Sequence, residues 1–422
     1  MAVDTPATIA ILGAGPIGLE VALYARFLGY DVVIYERGRV AEHIQQWGHV
    51  RMFSPFGMNR SPLGIAALAA QDEDFVPPGD DLLLTGAEYY QQYLAPLANS
   101  DLLADSLRLG HEVLSVGREN FLKGESPGAE ERGEFDFRLL VRDANGQERI
   151  EHADVLIDTT GVFSQPNWLG CAGMSAPGER QWRSQIDYHL PDILGVDRER
   201  FAGRHTLVIG AGLSAATNIL ALAELAKQSP GMRVTWITRR EAAAGQRGPL
   251  VVRADDRLPA RRELALATNA LCNSDGSPIT YWPLTDVEAL SQNDAGAFEV
   301  TVSGEHDGVV TFDRILANVG YRPDNRLCEE LQVHECYASS GPMKLAAQLQ
   351  NVASTDCLDQ TAHGPQSLLN PEPNFYILGA KSYGRRSSFL LSVGLRQIVE
   401  VFSIIGDRET LDLYATAPRS LP

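Results

Sequence analysis

Two stretches of this chain carry residue types at spacings that suit nucleotide chemistry. The first is Gly13-Ala14-Gly15-Pro16-Ile17-Gly18, which follows the apolar run Ile9 to Leu12 and opens a helical pattern reaching about Leu28. Gly13 can make the turn, Gly15 can let backbone approach a pyrophosphate, and Gly18 can let helix and strand pack closely. Pro16 and Ile17 stand at the helix start, whose free N–H groups and positive dipole end favour phosphate. A second apolar run, Val32 to Tyr35, closes on Glu36-Arg37. Glu36 falls about 20 residues into the unit, where a carboxylate receives a ribose 2′-hydroxyl.

The second stretch is Gly210-Ala211-Gly212-Leu213-Ser214-Ala215, after the apolar run Thr206 to Ile209. Its next strand, Val234 to Thr238, ends in Arg239-Arg240. An acid suits two free ribose hydroxyls, whereas arginine suits a 2′-phosphate. The expectation is therefore FAD on the first cradle and NADPH on the second, with NADH left open.

The elements that position these residues form a doubled programme. Each copy runs strand, glycine turn, helix, strand, insert, alternating β-meander and glycine-ended strand. In the first copy, FDFRLLVR (135–142) and 149–152 flank an Asn145-Gly146 turn, and Val155-Leu156-Ile157 leads into Asp158-Thr159-Thr160-Gly161. The second has FEVTVSG (298–304), 308–312, and Ile315-Leu316-Ala317 leading into Asn318-Val319-Gly320. The fold class expected is α/β, with two Rossmann-like domains, the second inserted in the first and each carrying a meander. The segment 45–81 is expected to be irregular but ordered, since Trp47, Met52, Phe53 and Phe56 punctuate it. Thr85-Gly86-Ala87-Glu88 has the spacing of a helix cap.

Length and composition bound the rest. A chain of 422 residues, 44% hydrophobic and 21% charged, suits two or three globular domains. A formal charge of −18 argues against nucleic acid or an anionic membrane as partner. No apolar run approaches the roughly 18 residues of a membrane span, and the N-terminal residues lack a basic leader. The five cysteines, Cys171, Cys272, Cys328, Cys336 and Cys357, are scattered and never spaced as Cys-x-x-Cys. That pattern predicts reduced thiols in a cytoplasmic protein, with no metal site.

These features resemble the flavoproteins with two dinucleotide-binding domains, the group of flavin-containing monooxygenases, N-hydroxylases and thioredoxin-reductase-like enzymes. The resemblance rests on both glycine cradles with Glu36 and Arg239-Arg240, on the strands ending DTTG and NVGY, and on the late stretch FYILGAKSYG (375–384). It implies a flavin domain made of 1–165 and 323–422, with an NAD(P)H domain at 166–322 between them. It further implies that Gly161 and Gly320 end cofactor-facing strands and that Trp47 and Arg51 lie over the flavin. Gly379 and Lys381 would approach its ribityl or pyrimidine end. Two departures stand out. Aligned on Gly178, the monooxygenase signature has Trp182 and Ala176 where His and Phe belong, and the usual Gly-Asp of the last strand reads Gly379-Ala380.

With no paired dithiol in the sequence, thioredoxin-reductase chemistry is not expected. The resemblance then implies a single-component monooxygenase using oxygen through a flavin C4a-peroxide, which is attacked by nitrogen or sulfur of a small molecule or attacks a ketone. An NAD(P)H-dependent reductase and a flavin-dependent halogenase are the alternatives, and a non-catalytic redox sensor is a weaker one. The candidate catalytic residues are Asn59, Lys381, Tyr383 and Arg385. Lys381, Tyr383, Arg385 and Arg386 form a basic turn that could bind an anionic substrate or a flavin anion, or instead hold FAD phosphate and cap the last helix. Asn59, with Ser54, could offer an amide to oxygen or nucleotide. The final apolar helix, LRQIVEVFSII (395–405), is either core or the face of a homodimer.

Overall fold

The computed structural model of the protein describes residues 3–272, 274–351 and 357–417. The chain forms two compact units, Met1–Gln165 with Arg322–Pro422, and Pro166–Tyr321. In the larger unit β1 (Thr8–Leu12), β2 (Asp31–Glu36) and β3 (Leu107–Leu109) are followed by β4 (Glu112–Arg118), β5 (Phe137–Arg142), β6 (Glu148–Ala153) and β7 (Val155–Asp158). The smaller unit holds β8 (His205–Ile209), β9 (Arg233–Ile237), β10 (Ile279–Trp282), β11 (Thr285–Gln292), β12 (Phe298–Gly304), β13 (Gly308–Phe312) and β14 (Arg314–Ala317). The last strand, β15 (Phe375–Ile377), belongs to the larger unit.

The larger unit has a parallel sheet in the order β15-β7-β1-β2-β3, with β4-β5-β6 as a separate antiparallel sheet. Strand alternation decides its two faces. Ile9, Ile11, Ile34 and Ile157 point into a core with the helices Pro16–Phe27 and Leu391–Ile405. Ala10, Leu12, Tyr35 and Leu156 point into another, shared with Phe137, Leu139 and Val141 of the meander. Both faces are covered, which is why these strands read as unbroken apolar runs. The helix Leu391–Ile405 is core along its inner face: Val401, Phe402 and Ile405 are buried, and the Phe402 ring stacks 5.0 Å from Tyr24.

The smaller unit repeats the plan with a parallel sheet β10-β9-β8-β14 and the meander β11-β12-β13. Val208, Val234, Trp236 and Leu316 face the helix Leu213–Gln228, while Leu207, Ile209, Ile315 and Ala317 face Val300, Val302 and Phe312. Both meanders have a third strand, β4 and β11, that the two-strand expectation lacked. Each is bulged, at Val113/Ser115 and Val287/Ala289, so its alternation slips by one residue midway.

The stretch 45–81 is less irregular than expected. Phe56–Met58 is a short 3₁₀ turn and Pro62–Gln71 a helix capped by Ser61, whose hydroxyl accepts the Gly64 N–H at 2.8 Å. The Thr85/Glu88 capping box forms, with Glu88 N–H on Thr85 Oγ1 at 3.2 Å and Thr85 N–H on Glu88 Oε2 at 2.7 Å.

Candidate functional site

At the carboxyl ends of β1, β2 and β7 the larger unit opens into a cavity of about 700 Å³. This is where strand order reverses about β1, the place open parallel sheets hold ligands. Gly13 has φ +96°, a left-handed conformation, and begins the turn. A Cβ on Gly18 would lie 2.0 Å from the Gly13 carbonyl oxygen and 2.8 Å from Thr159 Oγ1, so only glycine lets helix and turn meet. A Cβ on Gly15 would touch nothing within 4 Å and would project into open space. The helix Pro16–Phe27 begins without a side-chain cap or an acid in its first turn, leaving the N–H groups of Ile17 and Gly18 for an anion. Glu36 lines the cavity, held in place by Ala14 N–H on Oε2 at 3.0 Å and Gly38 N–H on Oε1 at 2.8 Å. The build fits a dinucleotide: a bare phosphate cradle at one point and a fixed carboxylate at the next strand end.

Of the remaining residues expected here, Arg37, Trp47, Gly161, Gly379 and Lys381 line the cavity. Trp47 packs on Gly86, where a Cβ would come within 2.8 Å of its ring. Lys381 is buried, and its Nζ donates to Asp158 Oδ2 at 2.5 Å and Thr160 Oγ1 at 3.2 Å. Four expected residues stand elsewhere. Arg51 is exposed and donates to the Leu83 carbonyl, bracing its own loop. Asn59 is committed to its loop, its Nδ2 donating to Ser54 and Pro55 carbonyls at 3.1 and 3.0 Å while Oδ1 accepts Ser54 Oγ. Tyr383 is buried in the helix-side core, and burial pushes its hydroxyl up to about 12. Arg385 is exposed, with its backbone N–H on the Ser339 carbonyl at 2.8 Å. None of the four lines the cavity. The turn bends Tyr383 into the core and Arg385 outward, so only Lys381 of the basic cluster faces the nucleotide space.

The second cradle has the same build. Gly210 has φ +127°, and its Cβ would lie 2.2 Å from the Asn318 carbonyl oxygen. A Cβ on Gly212 would meet nothing within 4 Å. Leu213 and Ser214 open an uncapped helix, and the buried Ala215 takes the packing position that Gly18 fills in the first copy. Asn218 Nδ2 donates to Asn318 Oδ1 at 2.9 Å, tying this helix to the end of β14, where Gly320 has φ +79°. Arg239 and Arg240 are exposed just beyond β9, with no carboxylate in ion-pair reach among the described residues. Thr238 Oγ1 holds that strand end through the Arg240 carbonyl at 2.9 Å and the Tyr281 hydroxyl at 2.8 Å.

Several contributors were missed in the sequence. Asp158 ends β7 as a fully buried carboxylate under Lys381, and its place at the carboxyl end of a parallel strand was the available signal. Asp324 and Arg326 also line the cavity, and Arg326 holds the Asp324 carboxyl down to about 2. Glu179, beside the altered monooxygenase signature, is structural: its carboxylate accepts Leu169 and Ala176 N–H groups at 3.0 Å and the Tyr188 hydroxyl at 2.7 Å. Of the cysteines, 171, 272, 328 and 336 are unpaired, while the Cys357 side chain lies outside the described residues. Burial raises the Cys272 thiol to about 12 and Cys328 to about 11, whereas hydrogen bonds from Ser339 hold Cys336 below the ordinary value. Glu119, Asp136 and His152 cluster at the edge of the meander, where Arg138 lies 4.0 Å from Glu119. Among the described residues no helix is long and apolar enough to cross a membrane.

No protein-family model matches the sequence, and neither does any curated protein. Solved structures do match in fold. Bacillithiol disulfide reductase from Bacillus cereus superposes with a TM-score of 0.65 at 17% identity, covering 96% of this chain and 100% of that one. This chain shares its fold. Ornithine hydroxylase from Pseudomonas aeruginosa gives 0.63 at 15% identity, over 96% and 100% of the two chains. The cadaverine monooxygenase of desferrioxamine biosynthesis from Erwinia amylovora, solved bound to FAD, gives 0.62 at 14%, over 99% and 98%. At these identities the likeness concerns architecture, and the chemistry has to come from the residues.

Proposed function

We propose that the protein is an FAD-dependent oxidoreductase drawing electrons from NADPH, and that it works as a single-component monooxygenase on nitrogen or sulfur of a small molecule. One observation carries the choice of cofactors: two cradles of the same build end their second strands in opposite charge, Glu36 in one unit and Arg239-Arg240 in the other. An acid braced at a ribose position favours a nucleotide without 2′-phosphate, and an unpaired arginine pair favours one with it. The flavin unit is then 1–165 with 323–422, and the NADPH unit 166–322. Bound FAD would supply electron transfer and oxygen activation. The chain's part is to bind and orient. The bare backbone at Gly15 and the open first turn receive the pyrophosphate and Glu36 the ribose, while Trp47 and Lys381 line the same cavity.

Oxygenation is favoured over dithiol exchange because no two cysteines are spaced as Cys-x-x-Cys, and burial drives Cys272 and Cys328 toward the protonated form. Two of the structural neighbours named above are hydroxylases or monooxygenases, which agrees with the choice. The Lys381 ammonium also suits a halogenase, the alternative whose chemistry calls for a lysine near substrate.

The test is stopped-flow absorbance of the purified holoprotein, reduced anaerobically with NADPH and mixed with oxygenated buffer. A transient with its own absorbance, distinct from oxidised and reduced flavin and lasting seconds, supports an oxygen-using enzyme. Direct return to oxidised flavin favours a reductase. A protein that binds no flavin would sink the proposal.

A further inference from the structure

A second cavity, of about 650 Å³, lies in the larger unit beside the nucleotide cavity. Gln165, Asp324, Arg326 and Lys381 line both, so these residues form the partition between them. Within the partition Lys381 is 1% exposed, and the Asp158 carboxylate behind it is buried as well. They meet at 2.5 Å. Both ends are fixed by other elements. Thr160 donates its N–H at 3.0 Å and its hydroxyl at 2.7 Å to Asp158 Oδ1. The turn carrying Lys381 is pinned from the helix Leu391–Ile405, with Gly379 N–H on Gln397 Oε1 at 3.0 Å and Gln397 Nε2 on Ser382 Oγ at 2.9 Å. An ammonium has three donors, and two of those of Lys381 go to Asp158 and Thr160.

We propose that Asp158 and Lys381 act as one unit in this partition, Asp158 being a positioning residue that fixes the Lys381 ammonium against the bound flavin and cancels its charge. The inference rests on the flavin assignment above. A lone ammonium in a wall this buried would favour the reduced, more negative flavin, because a charge in a water-excluded site is screened less than one in water. A lone carboxylate there would oppose it. The pair as built presents a dipole in place of either charge.

The consequence is a pair of opposite signs. Asp158→Asn removes the carboxylate bonded to Lys381, leaves it with the longer-range field of Asp324 and raises the flavin midpoint potential; Lys381→Met leaves Asp158 without its bonded cation and lowers it. The shift expected is at least tenfold in the preference for reduced over oxidised flavin, about 30 mV for a two-electron couple. The double variant returns to within threefold of the native preference. Midpoint potentials are read on the holoproteins by dye equilibration. Shifts of the same sign, or none, overturn the proposal, since a merely structural role loosens the wall in the same way from either side. If a single variant does not fold, thermal melting decides: a double variant more stable than either single supports the unit, and one no more stable than the singles overturns it. Native protein that takes up no flavin overturns the functional assignment instead, and the same melting cycle then decides whether the pair is a unit.

Discussion

Replacing Arg239 and Arg240 together with alanine should convert the preference for NADPH into indifference without weakening the fold. Both side chains are exposed at the end of β9, and the strand end that carries them is held by Thr238 and Tyr281, neither of which is touched. With no carboxylate in reach among the described residues, their removal breaks no internal ion pair. What is lost is the contact with a 2′-phosphate. A hydrogen bond to a charged group is worth about 1.5–3 kcal/mol, and exposure with salt screening places each arginine near the lower figure. The pair together then contributes about 2–3 kcal/mol, roughly thirtyfold to 150-fold in affinity. The assay is kcat/KM for NADPH and NADH at two salt concentrations, with melting temperature as control. NADPH efficiency should fall by that factor and lose its salt dependence while NADH efficiency holds. An unchanged ratio of the two efficiencies would refute the assignment of the second cradle, and an equal loss for both would mean that the arginines act on something other than the phosphate.

Four further substitutions test binding and folding. Gly15→Ala should fold normally and bind FAD at least tenfold more weakly, whereas Gly18→Ala should lose soluble protein, because a Cβ is free at the first position and 2.0 Å from backbone oxygen at the second; flavin fluorescence titration and thermal melts of both variants check this, and a Gly15→Ala protein with native affinity would refute it. Glu372→Gln should cost about 3–5 kcal/mol, since Glu372 is fully buried between Arg118 at 2.9 Å and Arg132 at 2.8 Å and its loss leaves two buried guanidiniums short of charge. Chemical denaturation measures it, and a loss below about 1 kcal/mol would mean water reaches the clamp. Glu20→Gln should stabilise the protein at neutral pH. Burial raises the Glu20 carboxyl above its ordinary 4.5, so the native state keeps a proton that the unfolded chain sheds, and native stability falls as pH rises through that interval by about 1.4 kcal/mol per unit. Melting temperatures of the two proteins should coincide near about pH 4 and diverge in favour of the variant above it; parallel profiles would show that Glu20 is ionised in the folded state.

How far such features were legible depends on the range over which each is encoded. The cradles were readable because all of their physics lies within six residues: a turn at Gly13, a bare approach at Gly15 and a packing contact at Gly18 are consequences of having no Cβ, whatever surrounds them. The alternation of β5 and β12 was readable for the same reason, while β4 and β11 hid behind bulges that break the period. The helix Pro62–Gln71 carried its own signals in Ser61, Pro62 and LGIAALAA, and the surrounding proline- and glycine-rich chain masked them. Side-chain direction at turns was not legible. Nothing local says that Tyr383 turns into the core while Lys381 two residues earlier turns into the cavity, and nothing local says that Asn59 spends its amide on its own loop.

The partition pair shows where local encoding ends. Asp158 and Lys381 stand 223 positions apart, and each taken alone suggests a different role: a strand-end acid that could cap a turn, and a turn lysine that could meet a phosphate. Only the pairing of β7 with β15, in which Ile377 lies beside Asp158, carries the end of the last strand to the end of the first unit's closing strand. That register makes the lysine's first partner a carboxylate and not a ligand. An acid missing from the usual place after Gly379 is thus matched by an acid present on the neighbouring strand, and the charge at this end of the cavity is set by two strands together. A lysine read from one strand is a binding residue; read from two, it is half of an ion pair, and any account of what it does to a cofactor has to include the other half.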